Sequence, residues 1–224
     1  MRQALIVQGG WQGHEPAQVA EIFRGMLEKE GFGVEVSDTL DAFRDEEKLR
    51  GLDLIVPIWT MGEILPEQLK PVVKAVSEGG VGIAGCHGGM CDAFRKSTEW
   101  QFMTGGQWVA HPGNDTVTYK VSIKNGGESL LNGIGDFEIT SEQYYMHVDP
   151  AVRVLATTTF PSAGVDGPHI PNGRVEMPQA WTKYYGKGRV FYSALGHQAK
   201  VFDVPEAKEM MRRGFNWAAR NAGN

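Results

Sequence analysis

The sequence predicts an α/β domain, a mostly parallel sheet flanked by helices, with an antiparallel β portion added in its second half. Over the first third, apolar runs of strand length alternate with amphipathic segments of helix length, the order that builds βαβ units. The helical segments open on proline or close on glycine. After residue 110 the pattern changes to period-two alternation, which suits half-exposed strands.

The elements follow in order. Residues 3–8 (QALIVQ) read as a strand, and residues 16–30 as a helix started by Pro16 and stopped by Gly31. Residues 33–37 form a second strand, 41–50 a short helix, and 52–59 (LDLIVPIW) an apolar third strand. Residues 66–78 are a helix broken by Gly79 and Gly80, and 81–86 a fourth strand ending in a glycine-rich turn. Val117, Tyr119, Val121 and Ile123 alternate within residues 114–124, which predicts an antiparallel strand. Residues 153–160, 179–185 and 188–194 continue the β-rich part, the last two joined by a hairpin turn at Gly186-Lys187-Gly188. Residues 161–178, rich in proline and glycine, read as a long loop over one end of the sheet, and loops of that length commonly serve function. Residues 205–220 close the chain as an amphipathic helix, with Met210, Met211, Phe215 and Trp217 as its expected buried contacts.

Length and composition bound the function. The 224 residues are read as one domain spanning 1–224. Neither a membrane nor nucleic acid is an expected partner: no apolar run nears the roughly 20 residues that span a bilayer, and a net charge of -5 leaves no basic surplus for a phosphate backbone. The chain starts directly with a strand-like run, which points to the cytoplasm. Cys86 and Cys91 flank a glycine-rich turn and read as free thiols. A small molecule is the expected partner, and self-association into a homo-oligomer stays open.

In an open α/β sheet, ligands sit outside the carboxyl ends of the strands. His14 follows the first strand, Trp59 ends the third, His87 follows the fourth, and His197 follows the strand at 188–194. Gly85-Cys86-His87-Gly88-Gly89 has the spacing of a nucleophile elbow, with His87 at its centre and Cys86 turned away by alternation. The alternative is a glycine-rich strand-to-helix turn that carries a hydrogen-bonded histidine. Residues 142–147 (EQYYMH) place Glu142, Tyr144 and His147 close together, and a carboxylate beside imidazoles either ligates a divalent ion or carries protons. The competing reading is a surface loop packed on the sheet edge. His111 and His169, in proline- and glycine-rich loops, are read as solvated side chains. Trp11, Trp59 and Trp108 lie in loops or at strand ends and suit either stacking on a sugar or packing of the pocket wall.

No local metal motif is present, so an ion would need distant ligands. His87, His147 and His197, with Glu142, are the candidate set for a divalent metal such as zinc holding a water. Nucleotide and flavin are not expected, because Trp11 stands in the loop after the first strand where a phosphate needs close backbone approach.

Four motifs in order carry a resemblance: Val7-Gln8-Gly9-Gly10 with His14-Glu15; Gly82-Ile83-Ala84-Gly85-Cys86-His87; Glu142-Gln143-Tyr144-Tyr145; and Trp181 with Tyr184 to Tyr192 leading to Gly196-His197. Together they resemble the ThuA-like, or trehalose utilisation, family, over residues 7 to about 217. The resemblance implies a flavodoxin-like, class I glutamine amidotransferase-like fold and a role in using trehalose or related disaccharides, downstream of oxidation to a keto-sugar. It also rejects a glutaminase, which needs a cysteine at the elbow and a His-x-Glu near the end; here His87 takes the elbow and His197 is followed by Gln198 and Ala199. Glu142 stands where the family more often has an Asp-Glu pair.

Two functions follow from these residues. In the first, the chain is an isomerase, lyase or hydrolase of a keto-sugar: His87, His147 and His197 bind an ion or polarise a carbonyl, Glu142 moves a proton, and Tyr144, His14, Trp11 and Trp59 hold the substrate. In the second, the same pocket binds a carbohydrate or other small molecule without turnover.

Overall fold

The computed structural model describes residues 1–124 and 129–220. Strand β1 (Arg2–Gly10) leads through a 3-10 turn into helix α1 (Pro16–Lys29), then β2 (Phe32–Ser37), α2 (Glu46–Gly51), β3 (Leu54–Thr60), α3 (Pro66–Ser77) and β4 (Gly82–Cys86). Next come α4 (His87–Cys91), α5 (Thr98–Thr104), β5 (Gly106–Ala110), β6 (Thr118–Ile123), β7 (Phe137–Thr140), β8 (Tyr145–Val148), β9 (Arg153–Phe160), β10 (Val175–Tyr185), β11 (Gly188–Ser193) and α6 (Pro205–Ala218).

Among the described residues, nine strands form one sheet in the order β2-β1-β3-β4-β11-β10-β9-β6-β7. From β2 to β11 neighbours run parallel; from β11 to β7 every pairing is antiparallel. This is the predicted parallel sheet with its antiparallel addition. Alternation along β1 explains how both faces are covered: Ala4 and Ile6 join the core beneath α1 and α6, whereas Leu5 and Val7 join the one beneath α3. A second, two-stranded sheet of β5 and β8 packs against α4, α5 and β10.

Some expectations need correction. The helix expected over 41–50 is divided into a 3-10 turn (Leu40–Phe43) and α2, because Thr39 and Asp45 each cap a separate start through the amides of Asp41 and Lys48. The loop expected over 161–178 ends earlier, at β10. A bulge between Pro178 and Ala180 lets that strand continue past a proline and pair with β9 from Val175. Trp217 is half-buried, while Met210, Met211 and Phe215 are fully covered as expected.

Helix α6 approaches β11 at Gly214, where an added Cβ would overlap the fully buried Phe191 ring. Gly214→Ala gains about 1 kcal/mol of helix propensity but meets an overpacking cost of about 1–3 kcal/mol. The expected outcome is a lower thermal midpoint; a midpoint equal to or above wild type contradicts this packing.

Candidate functional site

The parallel half of the sheet delivers side chains to a single edge. His14 ends the 3-10 turn after β1, Thr60 ends β3, His87 opens α4 directly after β4, and His197 lies in the loop after β11. Because β1, β3, β4 and β11 are consecutive and parallel, their carboxyl ends share one side. Glu142 arrives from the other half of the molecule, in the segment between β7 and β8.

His87, Glu142, His14 and His197 are all buried, with 1, 5, 6 and 7% of their surfaces exposed. Each offers one ligand-type atom, and those atoms lie within 4.8 Å of one another. Glu142 Oε2 is the hub: His87 Nε2 stands at 3.0 Å, His197 Nδ1 at 3.2 Å and His14 Nε2 at 3.8 Å.

Local structure holds each member. His87 has φ +48°, a left-handed conformation that a non-glycine residue adopts only when its surroundings enforce it. Its neighbour Gly88 lets the His14 ring close in, since a Cβ there would stand 2.6 Å from His14 Cε1. Two hydrogen bonds enforce the turn: His87 Nδ1 lies 2.8 Å from the Ala194 carbonyl oxygen, and Tyr192 Oη donates to the His87 carbonyl at 3.1 Å. Tyr144 stacks on the His87 imidazole, with centroids 3.8 Å apart. His14 Nδ1 meets Thr60 Oγ1 at 2.8 Å. Glu15 Oε2 accepts from the Ala199 amide at 2.9 Å, which ties the His14 turn to the His197 loop. Around Glu142, Tyr119 Oη donates to its carbonyl at 3.0 Å, and the buried Gln143 amide donates to Thr158 Oγ1 and the Thr159 carbonyl.

The Ala194 carbonyl can only accept, so His87 carries its proton on Nδ1 and, when neutral, presents a lone pair at Nε2. Burial lowers the His87 pKa to about 4 despite the neighbouring carboxylate. Glu142 feels burial too, which pushes upward, but contacts with the other two imidazoles, His14 and His197, outweigh it and hold the carboxyl well below its usual range. A neutral imidazole lone pair therefore faces an ionised carboxylate oxygen at 3.0 Å. That contact favours a shared proton or a metal ion. His197 Nδ1 adds to the demand: it is buried, and at 3.2 Å from Oε2 it lacks the alignment of a hydrogen bond.

The placement of the other expected residues is mixed. His147 does not join the cluster. It is exposed on β8, opposite Gln107, and lines a separate surface cavity of about 460 Å³ with Phe102 and Asp149. Alternation in β8 explains this: Met146 points inward, so His147 points out. Trp59 packs over Gly9 and Gly62, and Thr60, one residue on, is the side chain that meets His14. Trp11 is 46% exposed and sets its ring edge-on to His14 at 4.7 Å. Cys86 is buried and its thiol is pushed up to about 12, which disfavours the thiolate that a nucleophile needs. His111, expected to be solvated, places its Nε2 3.7 Å from Glu142 Oε1. Its place on the strand edge after β5 left no signal in the sequence, because β5 itself was not legible.

The sequence matches the family model described as "Trehalose utilisation" (ThuA) over residues 3–218. A search of the curated proteins finds no match. Among solved structures, the chain is similar to a putative ThuA-like protein from Bacteroides uniformis ATCC 8492, at 18% identity and TM-score 0.73, covering 100% of this chain and 94% of that one. It is also similar to a cytoplasmic protein from Salmonella typhimurium LT2, at 11% identity and TM-score 0.66, covering 97% and 99%. A glutamine amidotransferase from Thermotoga maritima shares the fold at 12% identity and TM-score 0.51, covering 99% and 91%. With the family model spanning nearly its whole length, the chain belongs to the trehalose utilisation family.

Proposed function

We propose that this protein is a sugar-processing enzyme of trehalose or disaccharide utilisation that acts on a keto-sugar by histidine and glutamate chemistry, and not as a glutaminase. The observation that carries the reading is the convergence of three buried imidazoles on one carboxylate oxygen at the strand ends. A ketone acidifies the adjacent C–H bond. A carboxylate base beside a group that polarises the carbonyl oxygen is then enough for enolisation, the step shared by keto-sugar isomerisation and elimination. Glu142 takes the proton, and an inward N–H of His14 or His197 holds the carbonyl.

The three imidazoles also suit a divalent ion such as zinc. Metal-bound histidines commonly fix their outer nitrogen by a hydrogen bond to a carbonyl or hydroxyl; here Ala194 and Thr60 supply those partners to His87 and His14. That leaves His87 Nε2, His14 Nε2 and His197 Nδ1 directed inward. His14 takes the place expected of His147. A bound ion would supply Lewis-acid polarisation of the ketone. Glu142 remains the proton carrier. The half-exposed Trp11 indole, at the lip beside His14, offers a face for a sugar ring.

Turnover of keto-trehalose and related keto-glycosides, assayed with zinc present, tests the reading. Glu142→Gln keeps the shape and removes the base, so kcat should fall about 10²–10⁴-fold with the thermal midpoint little changed. Unchanged turnover in this variant sinks the chemistry, and sugar binding without turnover by the wild type would make the protein a binding module instead.

The protonation of His87 gives a second outcome. In the metal-free protein, its imidazole resists protonation down to about pH 4, while in the unfolded chain it accepts a proton near its ordinary value of 6.5. The unfolded state binds more protons between these limits, so this contribution to stability is full above pH 6.5 and is lost as pH falls toward 4. His87→Asn, which also tolerates the left-handed turn, should flatten that limb of the thermal midpoint against pH. An equally steep limb in the variant would contradict a neutral His87.

A further inference from the structure

The four clustered side chains are nearly sealed, with 2 to 8% of the side-chain surface alone exposed, and their inward atoms face one another. A base so enclosed can take a proton from a substrate but needs a route to release it. Glu142 Oε2 is occupied by His87, His197 and His14, whereas Oε1 faces one ring that reaches solvent. His111 places Nε2 3.7 Å from Oε1, and its side chain is 32% exposed. The ring is held by stacking rather than left loose: it lies at 24° to Tyr144, with centroids 6.3 Å apart, and beside Trp108 at 5.5 Å. The Arg95 guanidinium backs Trp108 at 4.5 Å, itself paired to Asp92. The backbone turn after His111 is closed by the Asn114 amide on the His111 carbonyl at 3.0 Å.

We propose that His111 is a proton-relay residue that acts through Glu142, the group that exchanges protons between Glu142 and solvent. The inference rests on the enolisation reading above. In the forward step, the C–H bond beside the ketone breaks, its electron pair passes into the enolate, and the proton bonds to Glu142 Oε1. Glu142 then gives that proton to His111 Nε2, and the other ring nitrogen releases one to water. The reverse path returns a solvent proton to the sugar, so the sequence balances without an oxidant or a second reactant. The 3.7 Å separation exceeds a direct hydrogen bond, and a small ring movement or one bridging water closes it, as catalytic contacts often tighten only with substrate bound.

Proton NMR of keto-trehalose with enzyme in D2O, which reads solvent deuterium entering the carbon beside the ketone, tests the assignment without requiring net product. Wild type should incorporate deuterium. His111→Phe, which keeps the ring stack on Tyr144 and Trp108, should exchange at least ~10-fold more slowly with KM within about a factor of two, since relay loss affects proton transfer rather than binding. His111→Ala should regain exchange when imidazole is added, a rescue that a purely structural ring would not show. Exchange in His111→Phe at the wild-type rate, or an alanine variant that imidazole fails to restore, overturns the relay alone. Absence of exchange in the wild type overturns the relay and the enolisation reading together.

Discussion

The hydrogen bond from His87 Nδ1 to the Ala194 carbonyl sets the chemistry of the whole cluster. It chooses the tautomer, and the tautomer leaves a lone pair at Nε2 aimed at an anionic oxygen 3.0 Å away. The bond exists only because β4 and β11 are parallel neighbours in register, with Ser193 beside Cys86, so that the residues just past each strand meet. A left-handed His87, a glycine beside it and a tyrosine donating to its carbonyl are the local conditions for that meeting. Sheet topology thus reaches directly into the charge state of one ring.

Each half of the molecule contributes what the other lacks. The parallel strands present the cluster's three imidazoles on one edge, and the cluster's carboxylate comes from elsewhere. The antiparallel addition brings Glu142, anchored through Gln143 to β9 and through Tyr119 on β6. It also brings Tyr144, whose stacking on His87 excludes water from one face of the ring. Desolvation and charge then act in opposite directions on the two partners: burial keeps the imidazole neutral, and the imidazoles keep the carboxylate ionised. The chain shares the amidotransferase-like fold, and in it the cysteine beside the elbow is buried with its thiol pushed up to about 12.

How far the sequence discloses this depends on the kind of signal. The parallel strands were legible because they are continuous apolar runs punctuated by proline and glycine. Residues that directly follow such strands, His14, His87 and His197, could therefore be assigned to one edge. Glu142 was found from its neighbours' chemistry. Closeness in sequence suggests that His147 shares a pocket with Glu142, but residues 145–148 form a strand whose period of two sends His147 outward. The bulky Trp59 is the side chain that stands out in the sequence at the end of the third strand, whereas Thr60, one position on, is the one that meets His14. His111 was hidden because β5 is five residues long with mixed burial, and because its partner β8 is distant in sequence. The short elements α5, β7 and β8 escaped for a similar reason: four to seven residues carry too little periodicity to stand out.

His14, His87 and His197 each direct one nitrogen toward Glu142, and we propose that together they hold a cation there. Anomalous scattering at the zinc edge, from crystals equilibrated with stoichiometric zinc, measures this directly. The account predicts one strong peak about 2.0–2.1 Å from His87 Nε2, His14 Nε2 and His197 Nδ1. A map with zinc at the exposed His147 and none among the three buried rings would contradict it.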